Sequence, residues 1–172
     1  RVRGRMKNII IYAAIIFSFS VTNSFAFGTS KAVKNAKGFY EQGRVDNAIQ
    51  ALVRHTDQVS DDFDAYWLLG EWYFERSSYS SSAEYFGYAI KLNPGKRKVV
   101  IKKFKDLFNS VFNAGKYEQA VRYGKLADKF DGLFTKKIYS EHLEKGKAAK
   151  GQEQVRNLTI AHYFAPILED QK

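Results

Sequence analysis

Three histidines, His55, His142 and His162, are the side chains best suited to acid–base or metal chemistry in this chain. His142 and His162 lack HExxH spacing, and the chain contains no cysteine that could complete a zinc site. His55 falls at a position where a helix packs on its neighbour, which favours a structural histidine over a ligand. The lack of cysteine also excludes a disulfide framework and lipid modification of an N-terminal cysteine. We therefore predict no metal site.

A run of serines within residues 77–82 offers hydroxyl groups, but no GxSxG elbow surrounds them to make one a nucleophile. Such a run is typical of a turn between helices, and its hydroxyls are expected to cap the helix that follows. Gly124-Lys125 lacks the earlier glycine of a phosphate-binding loop. We predict no catalytic residue and no cofactor, and hence a protein that is not an enzyme.

Binding is then the function left to explain. The helices that would carry a binding site can be predicted from a residue pattern between positions 63 and 96. Large, small and helix-ending residues alternate there in a fixed order: Tyr66, Leu69, Gly70, Tyr73, Ser82, Phe86, Ala89 and Pro94. Small residues allow two helices to approach closely, and Pro94 ends the second helix because proline has no N–H to donate. The pattern describes a pair of packed helices whose apolar side needs a neighbouring pair to cover it.

The block resembles the tetratricopeptide repeat, in type and spacing of residues and in its 34-residue length. The resemblance implies an all-α fold, a short α-solenoid of about three helix pairs at residues 29–62, 63–96 and 101–134. The first copy matches loosely and the third follows a four-residue slip, which a loop at 95–98 is expected to absorb. The alternative is another helical repeat or bundle.

Two departures from the repeat pattern stand out toward the C-terminus. Gly124 lies where the family usually places a large packing residue. Residues 133–164 form a divergent helical cap, since terminal repeats meet water on their outer face. The last helix is expected to be short and to end before Pro166, leaving 165–172 as a tail.

In the resembled family, the first helix of each pair lines a concave groove that binds a protein or peptide. The groove residues expected here are Lys34, Lys37, Tyr40, Trp67, Glu71, Phe74, Glu75, Lys102, Lys105, Asn109 and Phe112. Rings would supply contact area and charges would set the register of an extended peptide or partner helix. The alternative is that Trp67 and Phe74 pack against a neighbouring helix. Leu68 and Asp106 depart from the family's set for a terminal carboxylate, so that ligand is not carried over.

A basic segment follows Pro94. It holds six positive charges within ten residues: Lys96, Arg97, Lys98, Lys102, Lys103 and Lys105. One interpretation is a solvated loop between repeats. The other is a binding surface for anionic lipid, glycan or cell-wall polymer, or for an acidic protein.

The N-terminal residues have the three-part plan of a secretory signal. Met6 is the single methionine and the expected initiator, Lys7 gives a basic start, and residues 9–21 are apolar. Ser24 and Ala26 then frame a cleavage site.

Cleavage is expected before Phe27, which would place the mature protein in a bacterial periplasm or outside the cell. The apolar run is shorter than the roughly 20 residues of a spanning helix, although an uncleaved anchor is the alternative. Residues 1–26 carry four positive charges and no acid, so the net charge falls from +10 to +6. We expect a protein or peptide partner in the cell envelope, and we do not expect nucleic acid because an exported protein does not meet it.

Overall fold

Helix is the one regular element in the described part of the chain, residues 29–169, in this computed structural model. Residues 1–28, with the predicted signal and its cleavage site, lie outside the described residues, as do 170–172. The eight α-helices of the described part are α1 Lys31–Glu41, α2 Val45–Gln58, α3 Phe63–Glu75, α4 Tyr79–Leu92, α5 Arg97–Phe112, α6 Tyr117–Asp131, α7 Phe134–Ala148 and α8 Gly151–Glu169. The predicted all-α class is confirmed.

Consecutive helices form four pairs: α1 with α2, α3 with α4, α5 with α6, and α7 with α8. The turns inside the first three pairs have the same backbone, with a left-handed residue at Gly43, Ser77 and Gly115 (φ +74°, +58° and +73°). In each turn, the N–H of this residue donates to the carbonyl of the residue three positions earlier. The N–H of the following residue donates to the carbonyl five positions before itself, and all six bonds are 2.9–3.0 Å long. Three copies of one turn make the repeat architecture visible in the backbone itself.

In the second and third pairs, a glycine on one helix faces a phenylalanine ring on the other. A Cβ built on Gly70 of α3 would lie 2.6 Å from the ring of Phe86 on α4, so only glycine fits beneath that ring. In the third pair the glycine is Gly124 on α6, and the ring of Phe108 on α5 lies 3.6 Å from its built Cβ. Both rings are almost completely buried.

Buried side chains of the described residues form two apolar clusters. One lies in the first pair and α3, around Val33, Leu52 and Leu69. The other runs from α4 to α8 and ends with Phe164 and Ile167. The C-terminal pair is thus packed on the third pair through the same core, and it closes the stack.

The four extra residues before the third pair do not form a loop as expected. Pro94–Lys96 is a single 3-10 turn, and α5 begins at Arg97. The Asn93 side chain accepts from the Gly95 N–H at 3.2 Å and holds this turn. Val100 is fully buried, so the first turn of α5 is drawn onto the core and the insertion lengthens the helix.

The last helix also differs from expectation, because α8 continues through Pro166 to Glu169 instead of ending before the proline. Proline removes one N–H, so the carbonyl four residues back loses its helical partner. The buried side chains of Phe164 and Ile167 on either side keep this turn packed against the core. The expected tail from residue 165 is therefore helical as far as 169.

The serine run does form the turn, but its hydroxyls do not cap α4. Ser78 is the N-cap residue and makes no side-chain capping bond. Instead the buried Ser82 hydroxyl donates to the Gly70 carbonyl of α3 at 2.7 Å and ties the two helices together. In residues 29–169, no helix is long and apolar enough to span a membrane.

Candidate binding surface

The first helices of successive pairs, α1, α3 and α5, lie side by side along one side of the stack. The Tyr40 ring of α1 stacks on the Trp72 ring of α3 with centroids 4.7 Å apart. Its hydroxyl donates to the Glu75 carboxylate, a bond that raises the pKa of the tyrosine. Further along, the Phe74 ring meets the edge of Phe104 on α5 at 5.6 Å. Of the predicted groove residues, Tyr40, Phe74 and Glu75 therefore take part in contacts between successive first helices.

The two central rings of this surface also contribute to the core. Trp67 stacks on Phe63 at 5.7 Å and meets Phe86 edge-on at 5.0 Å. Phe74 contacts Tyr79 and Phe104. Both rings pack against neighbouring helices, which is the alternative to an open groove, yet each stays partly exposed. Packing fixes the position of each ring before any partner arrives.

Several of the charged residues on this surface are paired with other side chains of the chain. Glu71 accepts from Lys103 at 2.6 Å across the gap between α3 and α5, and both side chains are about three-quarters buried. The Lys103 ammonium also lies 4.6 Å from the centre of the Phe74 ring. Lys105 pairs with Asp131 at 2.5 Å. The Glu71–Lys103 contact joins the second and third helix pairs, and the Lys105–Asp131 contact joins the two helices of the third pair. Both leave those groups little freedom to bind a partner.

Other predicted groove residues are open to solvent. Lys34 and Lys37 on α1 and Asn109 on α5 are exposed, and the described residues offer none of them an ion pair or a side-chain hydrogen bond. Lys102 is exposed and pairs with Asp106 on its own helix at 2.5 Å. Phe112 is partly buried against Phe108, with centroids 5.0 Å apart. The free charge of this face is therefore positive and concentrated at α1.

The basic segment after Pro94 is structured, and most of its charge is engaged. Besides the ion pairs of Lys102, Lys103 and Lys105, the Arg97 guanidinium donates to the Phe130 carbonyl at 3.4 Å. The Lys96 ammonium lies 5.6 Å from the centre of the Trp67 ring. Within the described residues, Lys98 alone of the six has no such contact. The segment therefore forms the first part of α5 and is not an open loop, and most of its cationic groups contact other side chains or backbone.

His55 has the structural role that its position predicts. Its Nε2 lies 2.8 Å from Oδ2 of Asp62, the residue that caps α3 by accepting from the Ala65 N–H at 3.0 Å. Burial pushes the pKa of Asp62 upward, but hydrogen bonds from Ser30, the Ala65 N–H and His55 outweigh it and lower that pKa. The serine and the histidine both meet the carboxylate and not each other, so the group is not a catalytic triad.

His142 joins the two helices of the C-terminal pair. Its Nδ1 lies 2.8 Å from the side-chain oxygen of Asn157, whose amide donates to the Glu153 carbonyl at 3.0 Å. Asn157-Leu158-Thr159 has the Asn-x-Thr pattern of a glycosylation acceptor, but the Asn157 side chain is buried and makes two hydrogen bonds, so it is not an exposed acceptor. His162 is exposed. Across the described part of the chain, no group of three or more His, Cys, Asp or Glu side chains could hold a metal ion.

A second surface feature has no counterpart among the sequence motifs. A groove of about 440 Å³ lies between the second helices α4 and α6, beside Gly87 and Phe130. No single sequence position predicts it, because it depends on how far apart two helices of different repeats lie.

No family model and no curated protein sequence matches this chain. A solved structure titled "MamA MSR-1 C2" is similar to it, with 17% sequence identity over 96% of this chain and 91% of that one. The TM-score is 0.40, a level at which the likeness adds nothing to what the four helix pairs already establish.

Proposed function

We propose that this chain is a non-enzymatic scaffold that binds a protein or peptide on the face formed by α1, α3 and α5. The observation that supports the proposal most directly is a row of partly exposed aromatic rings held in place by packing: Tyr40, Trp67, Phe74 and Phe112. Rings that are already immobilised lose little conformational entropy when a partner binds, which is what pre-organisation contributes to affinity. Aromatic anchors of this kind commonly supply most of the energy at interfaces.

The charges on the same face suggest how a partner would be oriented. Glu71 and Glu75 are engaged by Lys103 and Tyr40, whereas Lys34 and Lys37 remain exposed. A partner that carries acidic residues beside its apolar contacts would place them over α1 and its apolar side chains over the rings.

We further propose that the protein acts in a bacterial cell envelope after export. The basis is the sequence of residues 1–26, with its basic start, apolar run and small residues before Phe27. N-terminal sequencing of the protein from the cells that produce it tests this: Phe27 as first residue supports export with cleavage, and a retained 9–21 run contradicts it.

Binding of anionic lipid or glycan through the basic segment is the other candidate, and the contacts of that segment do not favour it. Lys103 and Lys105 would have to leave partly buried ion pairs to reach a lipid headgroup. The exposed cations Lys96, Arg97, Lys98 and Lys102 could reach a headgroup without breaking a buried ion pair, but Asp106 beside Lys102 offsets part of their charge.

The test of the scaffold proposal uses photo-crosslinking in the cells that produce the full chain. A photoreactive phenylalanine analogue replaces Lys37 on α1 or Asn109 on α5, both exposed, and in the control it replaces the exposed Arg54 on the second helix α2. We expect the same partner adduct from positions 37 and 109 and none from 54. No adduct at 37 and 109, or the same adduct at all three, contradicts the proposal. Trp67 and Phe74 are unsuitable positions because both rings support the core.

A further inference from the structure

The groove between α4 and α6 lies on the side of the stack away from the first helices. Buried Ala83 and Phe130 form its apolar floor, and Ser80, Ser81 and Glu84 lie toward the helix N-termini. A Cβ built on Gly87 meets no heavy atom within 4 Å, so the middle of the groove is open space. Its volume of about 440 Å³ is within the range of roughly 300–1,000 Å³ typical of ligand sites.

Two lysines line the other end of this groove. Lys91 lies in the last turn of α4 and Lys129 in the last turn of α6, and both line the groove. The two helices occupy equivalent places in successive pairs and run parallel, so the ammonium groups are at the same end. Neither lysine has an ion pair among the described residues, and Lys91 rests 5.1 Å from the centre of the Tyr88 ring.

Two lysines beside an apolar floor favour an anion. The helix macrodipole accounts for a lysine in each last turn, but it does not account for an open apolar floor beside them. Two neighbouring ammonium groups repel each other, and a carboxylate between them would turn that repulsion into two attractive contacts. A long polyanion is disfavoured because Glu84 at the far end would repel it.

We infer that this groove binds a peptide segment of a partner protein in which an apolar side chain lies next to an aspartate or glutamate. The apolar side chain occupies the space over Gly87 and Phe130, and the carboxylate lies between Lys91 and Lys129. The site is separate from the face formed by α1, α3 and α5, so the protein holds two partners or two segments of one partner at once.

The experiment is selection from a random 12-residue peptide library with the full chain as bait, followed by affinity measurement of the enriched peptides. In the first variant, Gly87→Leu fills the groove from within; the matched control is Gly38→Leu, at another helical glycine whose built Cβ also meets nothing within 4 Å. Both variants are expected to fold, since each replaces a helical glycine with a good helix former. Peptides that combine acidic and apolar residues should bind the wild type and Gly38→Leu, and bind Gly87→Leu at least tenfold more weakly.

A second variant tests the contribution of the lysine charges without filling the groove. Lys91→Gln/Lys129→Gln should weaken the same peptides at least tenfold, and Lys136→Gln/Lys137→Gln, at two exposed lysines of α7, should not. Enrichment of neutral or basic peptides, no enrichment, or equal binding by Gly87→Leu overturns the inference. A dimer in light scattering that Gly87→Leu converts to monomer also overturns it, in favour of a second copy. Changes at Lys34 and Lys37 leave these peptides bound, so failure here is distinct from failure of the first-helix face.

Discussion

The second and third helix pairs both set a glycine against a buried phenylalanine ring, but the two residues lie on opposite helices. In the second pair the small residue is Gly70 on the first helix and the large one is Phe86 on the second. In the third pair the large residue is Phe108 on the first helix and the small one is Gly124 on the second. The ring lies 2.6 Å from the built Cβ of Gly70 but 3.6 Å from that of Gly124, so only the second pair requires a glycine beneath its ring. Gly124 is kept small by a residue outside its own pair, Thr135 of α7, whose Cγ2 lies 2.6 Å from the built Cβ.

The largest expected effect comes from removing either ring. Phe86→Ala and Phe108→Ala should each lower the free energy of unfolding by about 3–5 kcal/mol, because each leaves a cavity in an almost fully buried position. Denaturant unfolding of the two variants measures this directly. The equivalence of the two seams predicts similar losses, and a loss below about 1 kcal/mol in one of them would show that its seam collapses without the ring.

Replacing each glycine by alanine should have a smaller effect on stability, and the added methyl should meet a different neighbour at each site. Gly70→Ala puts a methyl 2.6 Å from the Phe86 ring, and Gly124→Ala puts one 2.6 Å from Cγ2 of Thr135. Overpacking costs about 1–3 kcal/mol, and the gain of about 1 kcal/mol in helix propensity offsets part of it.

The second substitution that restores stability should differ between the two sites. Phe86→Leu should relieve Gly70→Ala, whereas Thr135→Ser should relieve Gly124→Ala because it removes the methyl and keeps the hydroxyl that bonds Asp128. Double-mutant cycles measure the coupling. If Phe108→Leu relieves Gly124→Ala better than Thr135→Ser does, the contact at Gly124 has been assigned to the wrong neighbour.

The starts of the two first helices differ as well. Asp62 caps α3, whereas the N-cap of α5, Lys96, makes no side-chain bond. Asp62→Ala should therefore destabilise the protein by about 1 kcal/mol at neutral pH, and Lys96→Ala by much less.

The pH dependence of Asp62→Ala follows from the lowered pKa of the aspartate. A carboxyl whose pKa is lower in the folded state contributes stability above its ordinary value of 3.8, and that contribution is lost as pH falls through the lowered value. The difference between wild type and Asp62→Ala should be constant above about pH 5 and shrink below pH 4. Thermal melting from pH 7 to pH 3 measures it, and a gap that widens in acid refutes this account.

The smallest expected effect is a gain at the turn of the second pair. Ser77 adopts a left-handed φ of +58°, where the first and third pairs use glycine. Ser77→Gly removes a backbone cost of about 1–2 kcal/mol, most of which is offset by the extra freedom of glycine in the unfolded chain. We expect a gain of about 0.5 kcal/mol in thermal unfolding. Gly115→Ser should lose a similar amount, and a change of the same sign in both variants would break the equivalence of the turns.

The repeat pattern between residues 63 and 96 was sufficient to predict the helix pairs, because a pair needs small residues where it closes and a helix breaker where it ends. It was not sufficient to explain Gly124, since the residue that compensates for it lies on another helix. It also led to the expectation of a loop at residues 95–98, which is wrong because the side chain of Val100 is buried and cannot be recognised as buried without its neighbours.

The candidate binding surface could likewise be predicted only in part from the sequence. The sequence predicted a set of residues on the first helices, and the structure shows that Tyr40 and Phe74 contact the neighbouring first helix. It could not reveal that Glu71, Lys103 and Lys105 are engaged in ion pairs, because these pairs join residues of different elements. Lys34, Lys37 and Asn109 are the members left open to a partner.

By itself, the sequence determined the class of fold, the number of helix pairs and the turn positions, because these depend on local spacing and on the backbone preferences of glycine and proline. Only the tertiary structure decided which helix supplies each ring, which charges stay free and where a groove opens between α4 and α6. Those properties depend on distances between helices that are far apart in the chain, and such distances result from the packing of the whole stack.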